Sequence, residues 1–213
     1  MAEKEEHSKK RGDSQADKPI IRSDANEPKP RIFVAVPVGE TAAAALYDWA
    51  RTAFGEAAFR RWTDVRDYHF TLKFLGDVEA DRIPAIADAL RAALAGETPF
   101  ALNLLGAGTF GLPEAPRVLF AEPDEGSADR LGRLAAAAEA ALAPLGFGPE
   151  KRGFRAHLTL ARKYAAGREF EPSKLAAAPA LTAGTADRAV LYRTRMHERP
   201  MYERIAEFPL GGS

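Results

Sequence analysis

Cysteine is missing from all 213 residues, which excludes disulfide scaffolds, thiolate metal sites and a cysteine nucleophile together. No apolar run approaches the roughly 18 residues that a membrane-spanning helix needs. The first residues lack the apolar stretch of a signal peptide, so the expected compartment is the cytoplasm and no membrane partner is expected. The glycines at 106–111 and 146–153 do not make a G-x-x-x-x-G-K-[ST] segment, which argues against a nucleoside-triphosphate cradle. Net charge is absent too, with 30 Lys/Arg against 30 Asp/Glu. That balance hides an asymmetry, because residues 31–150 carry 11 basic against 17 acidic side chains and residues 151–204 carry 12 against 5. Charge separation of this kind suits an anionic ligand better than a neutral one.

What remains is ordinary for a globular chain, with 46% apolar and 28% charged residues. Residues 1–30 are almost wholly charged, polar or proline and cannot bury enough surface to offset their ordering entropy, so they read as a disordered tail. Residues 31–213 read as the folded part. Its pattern predicts a strand at Arg31–Pro37, a helix capped by Thr41 and running to Phe54, and a strand at Tyr68–Leu75. A helix at Glu79–Ala95 follows, then strands at Phe100–Leu105 and Arg117–Ala121 on either side of a loop, Gly106 to Pro116. A helix from Ser127 to Leu142, a strand at Arg155–Ala161, a weak helix near Pro172 and strands at Ala186–Met196 and Tyr202–Phe208 complete the series. Interleaved helices and hairpin-like strand pairs point to an α+β fold.

Only four histidines occur, and two of them share one tetrapeptide frame: His69-Phe70-Thr71-Leu72 and His157-Leu158-Thr159-Leu160. Alternation along a strand sends His and Thr to one face and the apolar residues to the other. Two such strands, brought together by an internal duplication, present two imidazoles and two hydroxyls to one cleft. Imidazole exchanges protons near neutral pH, so the pair suits cleavage of a phosphodiester without a metal, one ring removing a proton and the other supplying one. Lys73, Arg155 and Arg162 are candidates to neutralise phosphoryl charge. Strict alternation puts Lys73 and Arg155 on the histidine face, whereas Arg162 has the opposite parity and reaches it only if the strand ends or bulges after Ala161. Tyr68 and Phe110 are candidates to stack on a base. Neither histidine face offers the further His or carboxylate of a zinc site, so no metal and no cofactor is expected. His7 falls in the tail and His197 in a turn, Met196 to Pro200.

The two frames carry family-like flanks, His69-Phe70-Thr71-Leu72-Lys73-Phe74-Leu75-Gly76 and Phe154-Arg155-Ala156-His157-Leu158-Thr159-Leu160-Ala161-Arg162. With the opening strand Arg31-Ile32-Phe33-Val34-Ala35-Val36, they resemble the two-histidine (2H) phosphoesterase superfamily, specifically the RNA 2′,3′-cyclic phosphodiesterases once named 2′-5′ RNA ligases. The closing segment Val190-Leu191-Tyr192-Arg193-Thr194-Arg195-Met196 and Tyr202 is similar to the family's, although Thr194 replaces the usual serine and a charged turn, His197-Glu198-Arg199-Pro200, replaces the usual glycine turn. The resemblance implies a bilobal, duplicated fold with two antiparallel sheets facing a central cleft and helices outside. It implies a monomer acting without metal on RNA ends or small cyclic nucleotides, leaving a 2′-phosphate, with weak 2′-5′ joining in reverse. His157 would then activate water and His69 protonate the departing 3′-oxygen, with Thr71, Thr159 and Arg162 holding the phosphate. The alternatives are a phosphodiesterase of the same superfamily acting on 2′-5′ linkages or another cyclic nucleotide, and a non-catalytic RNA- or nucleotide-binding protein.

Overall fold

The computed structural model describes residues 29–150, 152–165 and 169–211. Nine strands and three α-helices follow in the order β1 (Arg31–Pro37), α1 (Glu40–Phe54), β2 (Phe59–Trp62), β3 (His69–Asp77), α2 (Ile83–Leu94), β4 (Phe100–Leu112), β5 (Ala115–Pro123), α3 (Glu125–Leu142), β6 (Leu158–Tyr164), β7 (Leu181–Ala186), β8 (Arg188–Thr194) and β9 (Tyr202–Pro209). Near Pro172 the chain forms a short 3-10 turn, Pro172–Ala177, in place of a weak α-helix. The tail expected over 1–30 lies outside the described residues apart from Lys29 and Pro30. None of the described helices is long and apolar enough to cross a membrane.

Every strand pairing is antiparallel, and the hydrogen-bonded order is β7-β4-β5-β6-β3-β1-β8-β9, with β2 added beside β6. The two motif strands, β6 and β3, are neighbours at the centre of that order, with three further strands on either side. They meet through one residue pair, Phe70 on β3 with Leu158 on β6. Both residues directly follow the histidine of their frames, so equivalent positions face each other, as a local two-fold axis requires. The α+β class is as expected, and the antiparallel strands belong to one nine-stranded sheet whose two halves are joined at a single residue pair.

Period-two alternation explains where the core sits. On β1, Ile32, Val34 and Val36 join Leu46 of α1, Leu90 of α2 and Leu134 of α3 in the main core. The intervening Phe33 and Ala35 join Val190 and Tyr192 in a second, smaller cluster on the other face. That second face carries the histidines.

Several boundaries differ from the sequence reading. The segment expected as a loop, 106–116, is mostly strand: β4 runs to Leu112 and β5 begins at Ala115. Glycine there serves packing, since a Cβ on Gly108 would sit 2.7 Å from Phe120 Cζ. Thr41 lies inside the first turn of α1, with Gly39 at the cap. Asp124, whose side chain accepts the Ser127 N–H at 2.7 Å, starts α3 ahead of Ser127, because a carboxylate both caps and complements the helix dipole. Strands β2 and β7 were not foreseen.

Candidate active site

The two frames hold their imidazoles in the same way. His69 Nδ1 lies 2.7 Å from the Asp67 carbonyl oxygen, and His157 Nδ1 lies 2.9 Å from the Arg155 carbonyl oxygen. A carbonyl only accepts, so each Nδ1 carries the hydrogen and each neutral ring keeps a bare Nε2. His69 Nε2 is 3.1 Å from Thr71 Oγ1. The antiparallel pair Phe70–Leu158 sets His69 across from Thr159 and Thr71 across from His157, which brings both motifs to one cleft.

Aromatic rings wall both imidazoles. Phe33, Tyr202 and Tyr192 surround His69 with centroids 5.0, 5.2 and 5.9 Å away. Phe110 and Phe120 flank His157 at 5.0 and 5.7 Å. Loss of hydration in this setting holds His69 down to about 4, with the Asp67 carbonyl opposing and the charges of Arg162 and His157 adding to the depression. His157 is also lowered, first by burial and then by the charges of Arg162 and Arg155, against the pull of the Arg155 carbonyl. Arg162 thus acts electrostatically on both rings.

The position of Arg162 follows from a β-bulge that the two motif strands share. On β6, Phe120 pairs with Thr159 but Leu119 pairs with Ala161, so Leu160 is an extra residue. On β3, Ala35 pairs with Thr71 but Val34 pairs with Lys73, so Leu72 is the extra residue. Each insertion falls on the leucine that closes His-x-Thr-Leu, and each reverses the parity beyond it. Arg162 therefore turns to the cleft, where its Nη2 lies 3.4 Å from Thr159 Oγ1.

Lys73 turns the other way, and this corrects its expected place on the histidine face. It is 2% exposed; its Nζ lies 3.1 Å from Glu139 Oε2 of α3 and donates to the Gly148 carbonyl at 2.9 Å. Phe74 takes the cleft-side position instead, 58% exposed, its ring 5.6 Å from Phe33. Lys73→Met is expected to lower stability by about 1–2 kcal/mol, since Glu139 is left near water rather than buried, and to leave turnover unchanged. Urea unfolding alongside kcat checks this, and a large loss of kcat with normal stability would return Lys73 to the site.

Tyr68 is likewise corrected. It adjoins His69, so alternation points it into the helix-side core, where it is 3% exposed and burial pushes its phenol up. It cannot stack on a base. Arg155 does sit at the cleft rim: its guanidinium lies 5.1 Å from the centroids of both Phe110 and Phe120 and pairs with Glu122 at 2.7 Å.

Asp67 was missed, and only its place two residues before a motif histidine hints at it. Its carboxylate, raised by burial against the pull of two backbone N–H groups, accepts from Met201 N at 2.7 Å and Tyr202 N at 3.2 Å. One residue thus holds His69 through its carbonyl and the β8–β9 turn through its side chain. His197 lies in that turn, as expected. Asp67→Ala, which strands two N–H groups, is expected to cost about 1–3 kcal/mol, and Asp67→Asn less because it keeps one acceptor. Thermal melts of the two variants should show that ordering. Among the described residues no group of three or more His, Asp or Glu side chains is placed to hold a metal ion.

The chain is similar to several known proteins. The chain is 39% identical over 182 residues to an RNA 2′,3′-cyclic phosphodiesterase of Geobacillus stearothermophilus, covering 85% of this chain and 57% of that protein. It is 31% identical to the protein of the same name from Bacillus subtilis, covering 85% of this chain and 97% of the relative. A crystal structure from Thermus thermophilus superposes with a TM-score of 0.66 at 28% identity, over 86% of this chain and 99% of the other. Escherichia coli LigT, solved as a complex with 3′-AMP, superposes with a TM-score of 0.69 at 22% identity over the same shares of the two chains, a likeness of fold. The LigT like phosphoesterase family matches over residues 36–120 and 122–202, which contain both histidine frames, and the chain belongs to that family.

Proposed function

We propose that this protein is an RNA 2′,3′-cyclic phosphodiesterase that opens the cyclic phosphate of an RNA end or a small cyclic nucleotide and leaves a 2′-phosphate, with no metal ion in the step. One observation carries the reading: two imidazoles, each with Nδ1–H tethered to the carbonyl two residues upstream, meet beside two threonines and one arginine. The names of the relatives from G. stearothermophilus and B. subtilis support it.

In the proposed reaction the cyclic phosphate sits against Thr71, Thr159 and Arg162, whose donors take up charge on the non-bridging oxygens. Water attacks phosphorus as His157 Nε2 removes its proton. The bond from phosphorus to the 3′-oxygen breaks, and His69 Nε2–H protonates that oxygen. His69 must be an imidazolium to do this. Its low affinity for protons, set by burial, is offset by the phosphate itself, because an adjacent anion favours the charged ring. With a ribose 5′-hydroxyl in place of water the same displacement forms a P–O5′ bond as the P–O3′ bond breaks, His157 removing the hydroxyl proton and His69 protonating the 3′-oxygen, which accounts for 2′-5′ joining.

The test is hydrolysis of nucleoside 2′,3′-cyclic phosphates in excess EDTA, with the product isomer identified by phosphorus NMR. A 2′-phosphate is expected. Activity abolished by the chelator would move the reaction to a metal, and no turnover of any of the four nucleosides would favour 2′-5′ linkages or another specialised substrate.

A further inference from the structure

The short strand β2 adds itself to β6 alongside the second motif, and one of its rungs is unusual. Arg61 pairs directly with Arg162, and Trp62 with Ala161. Trp62 points to the helix side, donating its indole N–H to the Glu56 carbonyl at 2.8 Å, with the Arg51 guanidinium 5.1 Å from its ring. Ala161 opposite it is fully buried. Arg61, one residue earlier, therefore projects from the other face, the face of His157, Thr159 and Arg162, and is exposed.

Directly opposed residues of an antiparallel pair share a face, and like charges placed there repel. Among the described residues neither guanidinium has a carboxylate partner, and the one side-chain hydrogen bond of Arg162 is to Thr159. An anion set between two guanidinium groups on one face takes charge-assisted hydrogen bonds from both and removes their mutual repulsion.

We propose that Arg61 and Arg162 form a second phosphate subsite, which takes the phosphodiester adjoining the reacting cyclic phosphate. The subsite rests on the phosphodiesterase reading above and narrows it: the preferred substrate is an oligoribonucleotide end, and a mononucleotide leaves the subsite empty. Arg162 bonds the motif threonine and so belongs to both phosphates. Arg61 lies one strand further from His157, about 4.8 Å outward, where only a longer substrate reaches.

The experiment compares wild type, Arg61→Gln and Arg61→Lys on uridine 2′,3′-cyclic phosphate and on a triribonucleotide ending in the same group, across a range of salt. Wild type is expected to show the lower KM for the trinucleotide. Arg61→Gln should raise that KM roughly tenfold, flatten its dependence on log salt by about one unit, and leave the mononucleotide parameters within about twofold. Arg61→Lys should recover part of the loss. Because repulsion is removed, the melting temperature of Arg61→Gln should be unchanged or higher. An equal rise in KM for both substrates, an unchanged trinucleotide KM, or a lower melting temperature would each overturn the subsite. If wild type turns over neither substrate, the proposed reaction fails by itself. The subsite is then decided by fluorescence anisotropy with a labelled trinucleotide 3′-phosphate, where equal affinity of wild type and Arg61→Gln overturns it.

Discussion

On a nucleoside 2′,3′-cyclic phosphate, His69→Ala and His157→Ala are each expected to lose about two to four orders of magnitude in kcat while remaining folded. The size follows from what a positioned proton donor or acceptor contributes. The double variant should lose little more than either single one, because two groups that move protons in one concerted displacement act as a unit. Folding should survive, since both rings lie at the cleft and outside the main core, and circular dichroism verifies it. The two losses become distinguishable when the bridging 3′-oxygen is replaced by sulfur. A thiolate departs without a proton, so the variant lacking the acid recovers much of its rate and the variant lacking the base does not. Recovery by His69→Ala alone supports His69 as the acid; recovery by His157→Ala alone exchanges the assignment; full activity of either alanine variant on the natural substrate removes that residue from the chemistry.

Both histidines and both threonines were legible in the sequence because their frame repeats and strand alternation is a short-range rule. The helix-side core was legible for the same reason, as Ile32, Val34 and Val36 show. What alternation could not reveal was the shared bulge at Leu72 and Leu160. One inserted residue on each strand exchanged the fates of Lys73 and Phe74 and brought Arg162 to the cleft. Its trace was present in the sequence after the fact: Leu160 and Ala161 are consecutive apolar residues, both fully buried, which regular alternation forbids. Contacts set by chain-distant partners were out of reach. Asp67 meets Met201 and Tyr202 across most of the chain, and Arg61 faces Arg162 only because β2 joins β6. The glycine-rich stretch through Gly108 looked like a loop because glycine usually marks one; here it makes room for the Phe120 ring beside His157.

The pH dependence should separate the free enzyme from its complex. Burial in the cleft holds His69 to about 4 and puts His157 below its ordinary 6.5. The productive form carries one proton on the pair, and its two apparent constants belong to the pair rather than to either ring. Above the upper constant that form declines about tenfold per pH unit, so kcat/KM, which reports the free enzyme, is expected to fall on the alkaline side from below 6.5. Bound phosphate raises both rings by its negative charge. The alkaline limb of kcat, which reports the complex, should therefore lie at higher pH than that of kcat/KM. Arg162→Ala removes a positive charge felt by both histidines, so its kcat/KM limb should move up even as its rate drops. Folding stability supplies an independent reading of His69. The unfolded chain binds a proton near 6.5 and the folded chain near 4, so stability is complete above 6.5 and is lost as the pH falls through that window. His69→Asn should lack this loss. A kcat/KM flat between about pH 5 and 9, or a limb unmoved in Arg162→Ala, would falsify catalysis by the imidazole pair.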